Sequence, residues 1–304
     1  MKDQPRNIGA SVMARLLNRT HATGEDYQVI LGSYCTERFL YRLGVSVSRD
    51  RFVLKGATLL RLLSEQPYRA TRDLDLLRRG DGSFDAIRED IEGICAVDVE
   101  DDGVTFDAGR MRLEAMRSDE EYVGTRVALP ARCGTARVIM QVDLGLGDDV
   151  WPPPQLRSYP VLLDMALPAI LAYPMEAIIA EKLEAMIVLG DRNSRIKDYF
   201  DLHYLARHFE FDRVTLAESI RRTFARRSTA VPSGEPMGLT AEYWRNPLRP
   251  PQVRAFAKRA VLSVGDDPGG ELLPVLRSFL LPLVEDLRGG TTSSGRWPPG
   301  GPWS

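Results

Sequence analysis

The chain has few of the residues on which several enzyme classes depend. Three cysteines (Cys35, Cys95 and Cys133) are spread over 304 residues. They form neither a disulfide framework nor a zinc-ligand pattern, and a reduced cytoplasm is the expected compartment. The three histidines, His21, His203 and His208, make no H-E-x-x-H, which argues against a zinc hydrolase. No apolar run approaches membrane-spanning length, and Met1-Lys-Asp-Gln-Pro-Arg6 lacks the apolar core of a secretory leader. No membrane partner is expected. Neither sign of charge prevails: 40 Lys+Arg against 42 Asp+Glu leave a net charge of −2, so binding to nucleic acid would need a local patch. A hydrophobic content of 44% is that of a globular protein with a real core.

What is present changes character along the chain. The first 50 residues read as helical, with a break at Thr23-Gly24. Strands are expected near 52–54, 73–77, 104–107, 111–116, 122–129, 137–144 and 159–163, with helices at about 58–65 and 84–94. The segments around Arg126–Leu129 and Arg137–Leu144, joined through Gly134, read as an antiparallel hairpin, so the sheet should be mixed. After Trp151-Pro-Pro-Pro154 and Pro168 the pattern turns helical, near 174–189, 195–208, 213–228, 251–263 and 271–287. The expected fold class is α+β. Residues 1–165 form a sheet domain with a helical lead-in, and 166–288 a helical domain completing an active-site cleft. Residues 289–304, rich in Gly, Pro, Ser and Thr, form a disordered tail in which Trp297 and Trp303 are incidental.

Phe52-Val-Leu-Lys-Gly-Ala-Thr58 reads as a strand running into a small-residue turn, where Gly56 and Ala57 let backbone N–H groups approach an anion. Asp73 and Asp75 then alternate with Leu74 and Leu76, so both carboxylates leave one face of a strand, about 6–7 Å apart. Hard oxygen ligands beside a phosphate-approach turn suit Mg²⁺-assisted chemistry on a nucleoside triphosphate. A third carboxylate is often needed, and Asp143 in the apolar Val138–Leu144 segment is the candidate, as metal ligand, base or ion-pair partner. Asp148 and Asp149 read as solvated loop.

Helical phasing over 174–189 turns Lys182 into an apolar stripe, with Glu181 and Glu184 on the other side. In the next helix Asp198 lies between Leu202 and Leu205, while Lys197 and Asp201 share a more polar side. Lys182 and Asp198 either pair or both face a ligand; Arg195 and Lys197 read equally as phosphate contacts or solvated residues. Arg221-Arg-Thr-Phe-Ala-Arg-Arg227, Trp244–Arg249, Arg254, Lys258 and Arg259 are the candidate nucleic-acid surface.

F-V-L-K-G-A-T-L-L, R-A-T-R-D-L-D, A-I-I-A-E-K-L-E-A-M and R-I-K-D-Y-F-D-L, in this order, resemble the AbiEii/AbiGii-type toxins of bacterial type IV toxin–antitoxin systems. These belong to the DNA polymerase β-like nucleotidyltransferase superfamily. The resemblance runs from about residue 10 to 285 and implies that fold. It further implies that Asp73 and Asp75 bind Mg²⁺ (one or two ions), with Asp143 a weaker match as third carboxylate. Lys55, Gly56, Ala57 and Thr58 fall in the family's glycine-rich turn; Lys182 matches its nucleotide-holding lysine and Asp198 its later essential aspartate. An NTP would donate NMP to an acceptor hydroxyl, the 3′ end of tRNA, and a cognate antitoxin would be the partner. Ala57 stands where the family commonly has a second glycine, and Thr71 where it has serine, a candidate modification site. Alternatives are a nucleotidyltransferase acting on a small molecule or a protein, and a non-catalytic nucleotide-binding regulator.

Overall fold

The run Phe52-Val-Leu54 is apolar on both faces and is buried on both, because it becomes an interior strand of a sheet. The computed structural model describes residues 7–63, 73–116, 124–147 and 150–304. Thr71, the rest of the 64–72 stretch, and Asp148 and Asp149 lie outside the described residues. Two compact units are formed: Met1–Asp149 with Pro154–Tyr173, and Val150–Pro153 with Pro174–Ser304.

The first unit opens with helices α1 (Ile8–Thr23) and α2 (Tyr27–Val45). Asn7 and Asp26 cap their N-termini by accepting backbone N–H bonds, and Gly24, at φ 73°, ends α1 in the left-handed region. Strands follow as β1 (Phe52–Lys55), β2 (Leu74–Arg78), β3 (Val104–Phe106), β4 (Arg112–Met116), β5 (Gly124–Cys133), β6 (Ala136–Leu146), β7 (Gln155–Ser158) and β8 (Ala169–Ala172). Helices α3 (Leu60–Leu63) and α4 (Phe84–Cys95) sit between the early strands. Among the described residues the sheet order is β3-β5-β6-β2-β1-β8-β7, with β4 also beside β5. The β2–β6 and β1–β8 pairs are parallel and the others antiparallel, so the sheet is mixed as expected.

Two expectations for this unit need correcting. No strand forms over 159–163; the pairing there is made by β7 and β8, on either side of it. Pro160 has no N–H to give a ladder, and Tyr159 instead donates its own to the Pro168 carbonyl at 2.8 Å. Because β8 then pairs with β1, the first unit extends to Tyr173 rather than ending at 165.

Charges inside this unit are paired. Asp90, on α4, accepts from Ser48 Oγ (2.7 Å), Arg51 Nη1 (2.6 Å) and Arg78 Nη2 (2.6 Å), fastening the end of β2 to that helix. Arg42 on α2 holds Asp102 at 2.7 Å. Glu37 is different: it is wholly buried, receives the Leu162 N–H at 2.8 Å, and lies 3.8 Å from Arg38 Nε. Burial pushes its carboxyl up to about 7.

The second unit comprises α5 (Met175–Leu189), α6 (Ile196–His208), β9 (Phe211–Asp212), α7 (Arg213–Arg226), α8 (Ala241–Arg245), α9 (Arg249–Ala260), α10 (Pro268–Gly289) and β10 (Arg296–Trp297). No described helix in either unit is long and apolar enough to cross a membrane. The tail is not disordered. Trp297 pairs with Phe211 across β10–β9, is 1% exposed, and donates its indole N–H to Ala206 O at 2.7 Å. Trp303 stacks on Phe279 with ring centroids 5.7 Å apart and donates to Phe279 O at 2.9 Å. Composition alone argues for disorder, but two satisfied indoles outweigh the entropy of a short segment already stiffened by Pro298, Pro299 and Pro302.

Trp297→Ala should therefore destabilise the second unit by roughly 3–5 kcal/mol in chemical denaturation; a loss under about 1 kcal/mol would mean the tail is not integral. Glu37 makes a pH prediction. A carboxyl whose folded pKa is raised binds its proton more tightly when folded, so stability falls as pH rises from 4.5 to about 7. The fall should be roughly 3 kcal/mol. Glu37→Gln should remove that slope and be the more stable protein at pH 8.

Candidate functional site

Five strands set their charges in one row. Register pairs Lys55 on β1 with Asp75 on β2, Asp75 with Asp143 on β6, Asp143 with Arg126 on β5, and Arg126 with Glu114 on β4. Directly paired residues project from the same face, so these side chains stand side by side across the sheet. The neighbours Leu54, Leu74, Leu76, Val142 and Leu144 are buried. Asp73, two residues before Asp75, is exposed just ahead of β2. The structure thus gathers Lys55, Asp73, Asp75 and Asp143.

The Gly56 turn is fitted to this row. Gly56 adopts φ 69°, and a methyl group on its α-carbon would collide with the Asp75 side chain. Glycine is needed there both for the backbone angle and for the closeness of the carboxylate. Ala57 and Thr58 are buried, starting a 3₁₀ turn that leads into α3. Thr58 Oγ1 donates to Asp73 O at 2.9 Å, which ties the turn to the approach of β2. Lys55 reaches across so that its Nζ lies 5.4 Å from the Tyr173 ring centroid.

Asp143 takes the ion-pair option. Arg126 Nε donates to Oδ1 at 2.9 Å and Nη2 to Oδ2 at 2.8 Å, a two-pronged fork, and Gln141 Nε2 adds a contact at 3.4 Å. The bond to Asp143 holds the Arg126 guanidinium above its ordinary pKa, with Asp73 and Glu114 contributing at longer range. Arg126 was not among the residues singled out from sequence. The signal existed: equal steps outward from the Gly134-Thr135 turn lead to Arg126 on one strand and Asp143 on the other.

A separate charge knot lies in the second unit. Lys182 on α5 donates to Asp198 and lies 2.9 Å from Asp201, both on α6. Arg195 Nε closes on Asp198 Oδ2 at 2.7 Å. Asp198 and Asp201 are both 2% exposed, so Asp201 is not on a polar side as helical phasing suggested. Burial lowers the Lys182 pKa, but the two carboxylates outweigh it and hold the ammonium above its ordinary value. Lys182 and Asp198 therefore pair, while Lys197 is exposed. Glu184 is a further correction: α5 is buried on most sides, and Glu184 pairs inward with Arg227 (2.7 Å) and Thr229 Oγ1 (2.6 Å).

The basic clusters are partly structural. Arg222 pairs with Glu218 at 2.7 Å, Arg221 pairs with the other oxygen of the same carboxylate, and Arg227 belongs to Glu184. Arg249 is buried, donating to Asn193 O at 2.8 Å and lying 3.9 Å from the Tyr243 ring centroid. Arg254, Lys258 and Arg259 remain exposed on α9.

Among the described residues no three His, Cys, Asp or Glu side chains already converge on a metal-binding point. The donors nonetheless fit a hard divalent cation. Carboxylates of Asp75 and Asp143 are register partners on adjacent strands, Asp73 stands nearby, and one cationic group, the Arg126 guanidinium, is already seated among these acids.

Lys182→Met should cost about 3–5 kcal/mol, because it removes a cation from between two buried carboxylates. Adding Asp201→Asn should recover part of the loss in a double-mutant cycle; additive losses would show that Lys182 and Asp201 are not coupled.

Comparisons with known proteins agree with this architecture. Two solved Helicobacter pylori structures share the fold: JHP933, and a protein assigned as a nucleotidyltransferase. Each is 14% identical with a TM-score of 0.50, and 87% of this chain aligns with 95% and 98% of them respectively. No curated protein matches the chain. At such low identity the structures establish a shared α+β fold alone. The family model described as "Nucleotidyl transferase AbiEii toxin, Type IV TA system" matches residues 38–270, and the chain belongs to that family.

Proposed function

We propose that this protein transfers NMP from a nucleoside triphosphate to the 3′-terminal hydroxyl of tRNA, with Mg²⁺ as cofactor, and that the lost tRNA function arrests growth until a cognate antitoxin intervenes. The observation that carries the reading is the Lys55–Asp75–Asp143 row with Asp73 beside it, in a chain of the AbiEii nucleotidyl transferase family. Asp73 and Asp75 would hold the divalent ion, with Asp143 as third carboxylate. A bound ion supplies charge neutralisation on the triphosphate and polarises the α-phosphoryl group.

The chain's own groups do the rest. Lys55 and the Gly56–Thr58 turn are assigned to the phosphates. Asp143 is assigned to accept the proton of the attacking hydroxyl. The acceptor oxygen then forms its bond to the α-phosphorus as the bond to the β-phosphate bridge breaks, and pyrophosphate leaves. Arg254, Lys258 and Arg259 on α9 are assigned to the RNA backbone, where exposed cations track phosphates.

The test is incubation with each α-labelled NTP, Mg²⁺ and total cellular RNA. Label should enter tRNA with at least one NTP, and Asp75→Ala should reduce it by about a hundredfold or more. Label on a small molecule or polypeptide would replace the acceptor; growth arrest undiminished in Asp75→Ala would overturn the catalytic reading.

A further inference from the structure

The Arg126–Asp143 fork bears on how a cation enters the carboxylate row. Both Asp143 oxygens are taken by one guanidinium, at 2.9 and 2.8 Å, and Gln141 Nε2 adds a third contact to Oδ2. With Oδ2 accepting twice and Oδ1 once, Asp143 cannot present both oxygens to a metal in the same geometry. The pair is accessible enough to open: the Arg126 side chain is 44% exposed and the Asp143 side chain 14%.

Arg126 is also placed as a cation would be placed. It stands between Asp143 and Glu114 in register, and Asp73 acts on it from beyond the strand. Lys55 occupies the opposite end of the row, next to Asp75. The row therefore alternates cation, two acids, cation, acid, and its two central acids would repel one another without these flanking charges.

We propose that Arg126 is a positioning residue that holds the Asp143 carboxylate in place of a divalent cation, so that the fork must open before Asp143 can bind metal through both oxygens. This rests on the metal-binding reading of Asp75 and Asp143 above. Arg126 keeps the acids from repelling one another in the metal-free protein, and the same contact weakens the protein's affinity for a bare cation. A guanidinium released from the fork remains on the same sheet face and offers its donors to anionic oxygen.

Binding of Mn²⁺ alone to the full chain, followed by electron paramagnetic resonance and calorimetry, tests this without any turnover. Arg126→Gln should bind Mn²⁺ more tightly than the parent, by roughly fivefold, the gain expected from removing one partly exposed ion-pair competitor. Arg126→Lys, which keeps the charge but loses the fork, should fall between the two. The gain should vanish when Arg126→Gln is combined with Asp143→Asn. Equal or weaker binding by Arg126→Gln, or a gain that survives Asp143→Asn, overturns the proposal. Asp75→Ala separates the two layers: if it binds Mn²⁺ as the parent does, or if parent and Arg126→Gln both bind none, the metal reading fails and this inference with it. Thermal unfolding of each variant identifies any that do not fold, and Arg126→Lys then carries the comparison.

Discussion

Strand register is the constraint on which the rest of the first unit depends. Leu54, Leu76 and Leu144 follow one another across β1, β2 and β6, and all three are buried. Slipping any of these strands by one residue would turn the leucines out and drive Asp75 or Asp143 into the core, at a cost no local contact could offset. The apolar residues thus fix the position of the charged ones. Lys55, Asp75, Asp143 and Arg126 are aligned because the sheet's hydrophobic face permits one pairing.

Charge is handled in a similar way in both units: among the described residues, Glu37 apart, the buried ionic groups singled out above have a partner on another element. Arg78 with Asp90, Arg42 with Asp102, and Lys182 with Asp198 and Asp201 each join separate segments of the chain. Such pairs contribute less net stability than apolar residues of similar size, but removing one partner is expensive, so they penalise wrong arrangements. The Asp143 fork follows the same rule at a more exposed place.

Much of this was legible in the sequence. Periodicity placed α5, α6 and the β5–β6 hairpin, and D-x-D alternation placed Asp75 beside an apolar core. What local pattern could not supply was long-range pairing. β7 and β8 are short and separated by a proline-flanked loop, so Pro160 and the pairing of β8 with β1 decided them. Helical phasing turned Asp198 inward correctly but left Asp201 and Glu184 outside, since it assumes one buried stripe and both α5 and α6 are buried more widely. The Arg126 fork was readable only by counting through the hairpin. The tail was misread because composition reports what a segment costs to order, and not the pocket that two tryptophans find.

That tail gives the helical unit an unusual chain topology. Helical proteins commonly fold fast because their contacts are local in sequence. Here the Trp297 indole bonds to Ala206, 91 residues earlier, and β10 pairs with β9 across the intervening helices. The two-stranded ladder closes a loop around α7 to α10, and its closure entropy falls due before the tryptophans are buried. Folding of this unit should therefore behave less like a set of independently formed helices and more like a ring that becomes stable once its ends meet.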